Sequence, residues 1–73
     1  MYTIKVIGMP GTFCKFNTEE EVVSYLLERG WKKESVGSSD NIYSWRFKKG
    51  NAIAQINEFE IVGSKKVFET IYG

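Results

Sequence analysis

Few side chains in this chain are equipped for covalent chemistry. Histidine is absent and Cys14 is the single cysteine. A thiol becomes a nucleophile when a base or a nearby cation favours its thiolate. Lys15 is the only such neighbour in sequence, so Cys14 reads as a small structural residue. One thiolate without an imidazole does not close a zinc site, and neither a metal nor another cofactor is expected. Glu19-Glu20-Glu21 gathers three carboxylates, but consecutive helical residues point in different directions, and a place at a helix start accounts for them. Gly8-Met9-Pro10-Gly11 follows neither the phosphate-loop nor the dinucleotide-binding pattern and reads as a turn. No serine has a base with which to form a triad. The expectation is a protein that is not an enzyme.

What remains is binding. Tyr43, Trp45 and Phe47 alternate with Ser44, Arg46 and Lys48, the period of a strand with one apolar side. Rings on a sheet can stack bases while nearby cations hold phosphates. Arg46, Lys48 and Lys49, with the doublet Lys32-Lys33, therefore form a candidate nucleic-acid contact. Two features weigh against it. Alternation sends Arg46 to the side opposite the rings, which a helix needs for its core. The net charge of +1 also supplies no overall attraction for a polyanion. The preferred reading is a non-catalytic protein-interaction module with an unknown protein partner, and nucleic-acid binding is the alternative.

These residues must be carried by a few short elements. Tyr2 to Ile7 reads as a strand with Tyr2, Ile4 and Val6 on one side. Thr12 to Phe16 reads either as a short strand or as an ordered loop. Thr18 with Glu21 is a capping box, and the helix it starts runs to about Arg29. Val22, Val23, Leu26 and Leu27 form its apolar stripe, and Gly30 suits a left-handed C-terminal cap. Trp31 folds back on the core and a strand runs to Val36. Gly37 to Asp40 is a polar loop.

Asn41 to Asn57 then reads as a hairpin. A turn on Gly50-Asn51 sets Phe47 against Ala54, Trp45 against Ile56, Arg46 against Gln55 and Ser44 against Asn57, which sorts apolar with apolar. A turn centred on Lys49-Gly50 stays open, as does a three-residue loop that sets Trp45 against Ile53. In the tail from Ser64 to Gly73, Val67, Phe68, Ile71 and Tyr72 fit a helical stripe. The residue types are strand formers, and a strand is favoured.

The expected fold is a single α+β domain over residues 1–73. One amphipathic helix packs on a small, mainly antiparallel sheet of three to five strands with a central aromatic hairpin. The expected core is Ile4, Val6, Val22, Val23, Leu26, Leu27, Trp31, Tyr43, Trp45, Phe47, Ala54 and Ile56. One short helix covers only part of such a sheet. The surplus apolar residues Ile42, Ile53, Phe59, Ile61, Phe68, Ile71 and Tyr72 suggest a homodimer, with contacts through the last six of them. No apolar run approaches the roughly 18 residues of a membrane span. The N-terminus is too strand-like for a signal peptide, and a lone reduced cysteine suits the cytoplasm.

Val22-Val23-Ser24-Tyr25-Leu26-Leu27-Glu28-Arg29-Gly30-Trp31, followed by Gly37-Ser38 and a hairpin, resembles the HicA-type toxin ribonucleases. Those have a helix ending in Gly-Trp and a catalytic Gly-Ser-His element. Here Ser39 follows the Gly-Ser pair, so the resemblance implies a similar αβββ scaffold without the catalysis. The length and element order also resemble the small prophage proteins of Bacillus-type bacteria, the YopT-like family in particular. That resemblance implies a homodimer of one-helix, three-stranded subunits with no assigned activity.

Overall fold

The computed structural model describes residues 1–36, 41–58 and 62–72. The sequence expectations for Gly37-Ser38-Ser39-Asp40, Phe59 and Ile61 lie outside the described residues. The chain runs β1 (Tyr2–Val6), β2 (Thr12–Phe16), α1 (Glu19–Glu28), β3 (Lys32–Val36), a 3-10 turn at Ile42–Ser44, β4 (Trp45–Lys49), β5 (Ala52–Asn57), β6 (Val62–Gly63) and α2 (Lys65–Tyr72). The sheet order is β3-β4-β5-β1-β2-β6. Neighbours pair antiparallel across the first five strands, and the two-residue β6 runs parallel to β2. The fold is thus α+β, with helical cover on one side of a mainly antiparallel sheet.

Local signals explain α1. The Thr18 hydroxyl accepts from the Glu21 amide at 3.2 Å and donates to Glu21 Oε1 at 3.2 Å. The first satisfies a backbone N–H that the first turn would otherwise leave open. At the other end Gly30 adopts φ +90°, a conformation glycine reaches without a Cβ penalty. Trp31 N–H closes the cap on Leu26 O at 3.0 Å.

The buried stripe of α1 is Val22, Tyr25 and Leu26. Leu27, expected in the core, is 52% exposed, and Val23 is only half-buried. The second helix turns the stripe towards Tyr25. The Tyr25 hydroxyl donates to Glu69 Oε2 at 2.9 Å, and Arg29 pairs with Glu69 at 3.4 Å.

The tail is a helix, not the favoured strand. Ser64 Oγ accepts from Val67 N–H at 3.2 Å and caps it. Phe68 and Tyr72, four residues apart, then share a face. Phe68 fills a hollow between Phe13, Tyr25 and Trp31, with ring centroids 5.6, 6.1 and 5.9 Å away. Tertiary cover of those rings outweighs the strand propensity of the tail.

The hairpin turn falls on Gly50-Asn51, with Gly50 at φ +59°. Arg46 pairs with Gln55 and Phe47 with Ala54, as the alternation predicts. The ladder goes no further towards Asn41, because Asn41 Oδ1 accepts from Tyr43 N–H at 3.1 Å and caps the 3-10 turn. The expected pairs Trp45 with Ile56 and Ser44 with Asn57 are therefore not formed. Tyr43 leaves the strand and is 40% exposed, and Trp45 is half-buried.

Residues 12–16 are a strand, with a bulge. Thr3 pairs with Lys15 but Ile4 with Phe13, which leaves Cys14 as the extra residue at φ +59°. The bulge brings Phe13, Cys14 and Phe16 all inside. Bulges of this kind break strict alternation.

Candidate functional site

Antiparallel pairing puts directly opposed side chains on the same side of a sheet, with Cβ atoms about 5 Å apart. Phe47, Ala54, Val6, Ile4, Ile56 and Phe13 thereby lie together under the helices, and all are buried. The other side carries two cross-strand rows. One runs Lys5–Gln55–Arg46 across β1, β5 and β4. The next runs Ile53–Lys48–Lys32 across β5, β4 and β3. Arg46, Lys48 and Lys32 are exposed, while Lys5, Gln55 and Ile53 are half-buried. The opening has a border, since Thr3 and Thr12 on β1 and β2 are 0% and 3% exposed.

The sheet therefore sorts charge. Among the described residues, the two rows hold four cations (Lys5, Lys32, Arg46 and Lys48), and the adjoining notch adds a fifth, Lys49, and one carboxylate. That carboxylate is Glu34, which lines a surface notch of about 220 Å³ with Lys32, Lys48 and Lys49 at the hairpin tip. Among the described residues a local excess of four positive charges thus sits on a chain whose net charge is +1. Of the other described carboxylates, Glu19, Glu20, Glu21, Glu28 and Glu69 belong to the helices and Glu58 follows β5. Among the described residues, Lys32, Arg46 and Lys48 form no ion pair. Lys48 stands directly opposite Lys32, an arrangement of like charges that weakens a sheet. An anion placed between them would remove that cost. Lys5 donates its ammonium to Met9 O.

Three of the five cations singled out in the sequence, Arg46, Lys48 and Lys32, are brought together here. The other two are not. Lys33 opposes Phe47 and so points to the helical side, with its ammonium 4.0 Å from the Trp45 ring centroid. Lys49 Nζ donates to Arg29 O at 2.6 Å. It serves the C-terminus of α1, where a cation is favourable. Lys5 and Gln55 join the site without having been singled out. Alternation within Tyr2–Val6 already placed Lys5 opposite the apolar side. The pairing of β1 with β5, across some fifty residues of chain, is what carries it to Arg46.

Of the expected dimer contacts, Phe68 is 1% exposed and packed inside its own chain. Tyr72 packs against the same core. The second helix thus supplies cover that had been assigned to a partner. Ile53 stays half-buried on the cationic side and Ile71 is 48% exposed.

A groove of about 340 Å³ lies on the other side, lined by Glu19, Glu20, Val23, Ser24, Ile42 and Trp45. Its rim carboxylates repel anions. Cys14 is buried, and burial pushes its thiol up to about 11, against weaker opposing effects of a hydrogen bond with Tyr25 and the charge of Lys65. It is the opposite of an activated thiol. Among the described residues no group of three or more metal-ligating side chains is placed to hold an ion, and no helix is long and apolar enough to cross a membrane. No family model matches the chain, and neither a curated protein nor a solved structure matches it significantly.

Proposed function

We propose that this protein is a non-catalytic binding module that holds the phosphate backbone of a nucleic acid against the open side of its sheet. The single observation that carries the reading is the cluster Lys5, Lys32, Arg46 and Lys48, set in adjacent cross-strand rows with one carboxylate, among the described residues, beside it. The balanced total charge had argued against a polyanion. Sorting of charge between the two sides of the sheet removes that objection, because fields at a surface are set locally within a Debye length of about 8–10 Å. The other objection, that Arg46 lies opposite the rings, bears on base stacking and not on phosphate contacts, which need no ring on the same side. Phe47 is committed to the core, and Arg46 and Lys48 are exposed on the opposite side of the strand.

Such a site binds phosphates by counterion release. About four neutralised phosphates give a slope of log K against log salt near −3, and an affinity in the micromolar range or weaker at physiological salt. Fluorescence anisotropy with labelled oligonucleotides across a salt series measures both. Arg46→Ala with Lys48→Ala should flatten the slope by between one and two, whereas Lys66→Ala, exposed on α2, should leave it unchanged. No salt-sensitive binding to any oligonucleotide would overturn the reading. Equal binding of polyglutamate would move the assignment to an acidic protein surface.

A further inference from the structure

We infer that the nucleic acid is single-stranded and that Gln55 reads one of its bases. This rests on the binding reading above and goes beyond it in two respects.

The first is the shape of the face. β4 and β5 are held between β3 and β1, so the hairpin is not a free two-stranded ribbon. The cations span four strands, from Lys5 on β1 to Lys32 on β3, about 14 Å between the outer strand axes at 4.8 Å per step. A duplex major groove is about 12 Å wide and admits a helix or a two-stranded ribbon. This face is too broad and flat to enter it. The hairpin tip offers no wedge either, since Lys49 is bound back to Arg29 O. A duplex touches this surface only along its backbone. A single strand can lie across it with its bases turned towards the sheet.

The second is the chemistry between the cations. Stacking is not available here, because Phe47 is fully buried on the opposite side and the Trp45 ring is covered by Lys33. Gln55 sits in the middle of the first row, one strand from Lys5 and one from Arg46. Among the described residues its amide makes no hydrogen bond. A side-chain amide carries both donors and an acceptor and pairs in two-point fashion with adenine. Ile53, two residues back on the same side and half-buried, offers an apolar surface for the face of that base. Lys5 and Arg46 hold the phosphates on either side.

The test is anisotropy with labelled 12-mers of adenine, cytosine and uracil or thymine, as RNA and as DNA, together with a 12-base-pair duplex, across a salt series. Single strands should bind more tightly than the duplex, and the adenine 12-mers at least about threefold more tightly than the pyrimidine ones, a modest fraction of what a full two-point pair provides. Gln55→Ala should abolish the adenine preference without changing the salt slope. Gln55→Thr, which keeps a strand former at the position, serves if the alanine variant is poorly folded. Binding by the wild type with equal affinity for duplex and single strand would overturn this inference and leave the binding reading standing. So would a base preference that survives both substitutions. Failure of every oligonucleotide to bind would overturn both.

Discussion

Replacing Phe68 by alanine tests the tertiary arrangement most directly. The ring is 1% exposed and meets four others, with centroids at 5.6 Å (Phe13), 6.1 Å (Tyr25), 5.9 Å (Trp31) and 5.1 Å (Tyr72). A buried Phe→Ala change costs about 3–5 kcal/mol, lost transfer energy plus the cavity left behind. The upper half of that range is expected here, because tilted and stacked ring pairs add to the area term. A domain of this length has roughly 4–11 kcal/mol to lose, so the variant should be close to unfolded. If a folded transition persists, it should melt about 16–40 °C lower, at 4–8 °C per kcal/mol. Val67→Ala, at the neighbouring position but 47% exposed, should change stability by no more than about 0.5 kcal/mol. Circular dichroism melts of both variants at two protein concentrations decide the matter. A loss below about 1 kcal/mol for Phe68→Ala would refute the packing described, and so would equal losses at both positions. A wild-type melting temperature that rises with protein concentration, with the rise absent in Phe68→Ala, would return this residue to a subunit interface.

Other consequences follow from single contacts. Thr18→Ala removes both hydroxyl bonds at the start of α1 and should cost about 1 kcal/mol, seen as a lower urea midpoint with unchanged slope. The Cys14 thiol is raised from 9.0 to about 11 by burial. The folded state thus keeps its proton where the unfolded chain releases it. The corresponding stability is intact below pH 9 and is lost as pH rises towards 11. Tyr25, also raised and in contact with Cys14, acts in the same direction, so Cys14→Ala should make the alkaline decline shallower without abolishing it. At pH 8 the folded protein should resist thiol reagents that modify the denatured chain at once. The salt slope of the Arg46→Ala, Lys48→Ala variant and the base preference of Gln55→Ala test the proposed interface itself.

Much of the architecture was legible because its signals are local. The Thr18–Glu21 box, the glycine after the last turn and the Gly50-Asn51 turn each act within a few residues. α1 and the register of Arg46 with Gln55 emerge where they were expected. Errors arose where a distant element decides. Leu27 and Tyr25 are both compatible with the spacing of an apolar stripe, and the docking of α2 forty residues later chooses Tyr25. The tail has strand-forming residues, yet the hollow beside Trp31 and Phe13 is filled best by a helix presenting Phe68 and Tyr72. Tyr43 keeps the alternation of its neighbours but is drawn into a 3-10 turn by the Asn41 side chain. The bulge at Cys14 has no local signature.

The candidate site divides the same way. Alternation alone placed Arg46 and Lys48 opposite the rings, since side chains of a strand alternate whatever surrounds it. It could not say that Lys5 and Lys32 arrive on either side of them, nor that Gln55 lies between two cations. Those neighbours are set by the order of strands in the sheet. That order is a long-range choice, made by burying Ile4, Val6, Ala54, Ile56 and Phe47 in one layer. By itself the sequence determined which side of β1 and of the hairpin strands is wet. Only the tertiary structure decided which wet sides share one surface, and so turned a nearly neutral chain into one with a cationic face.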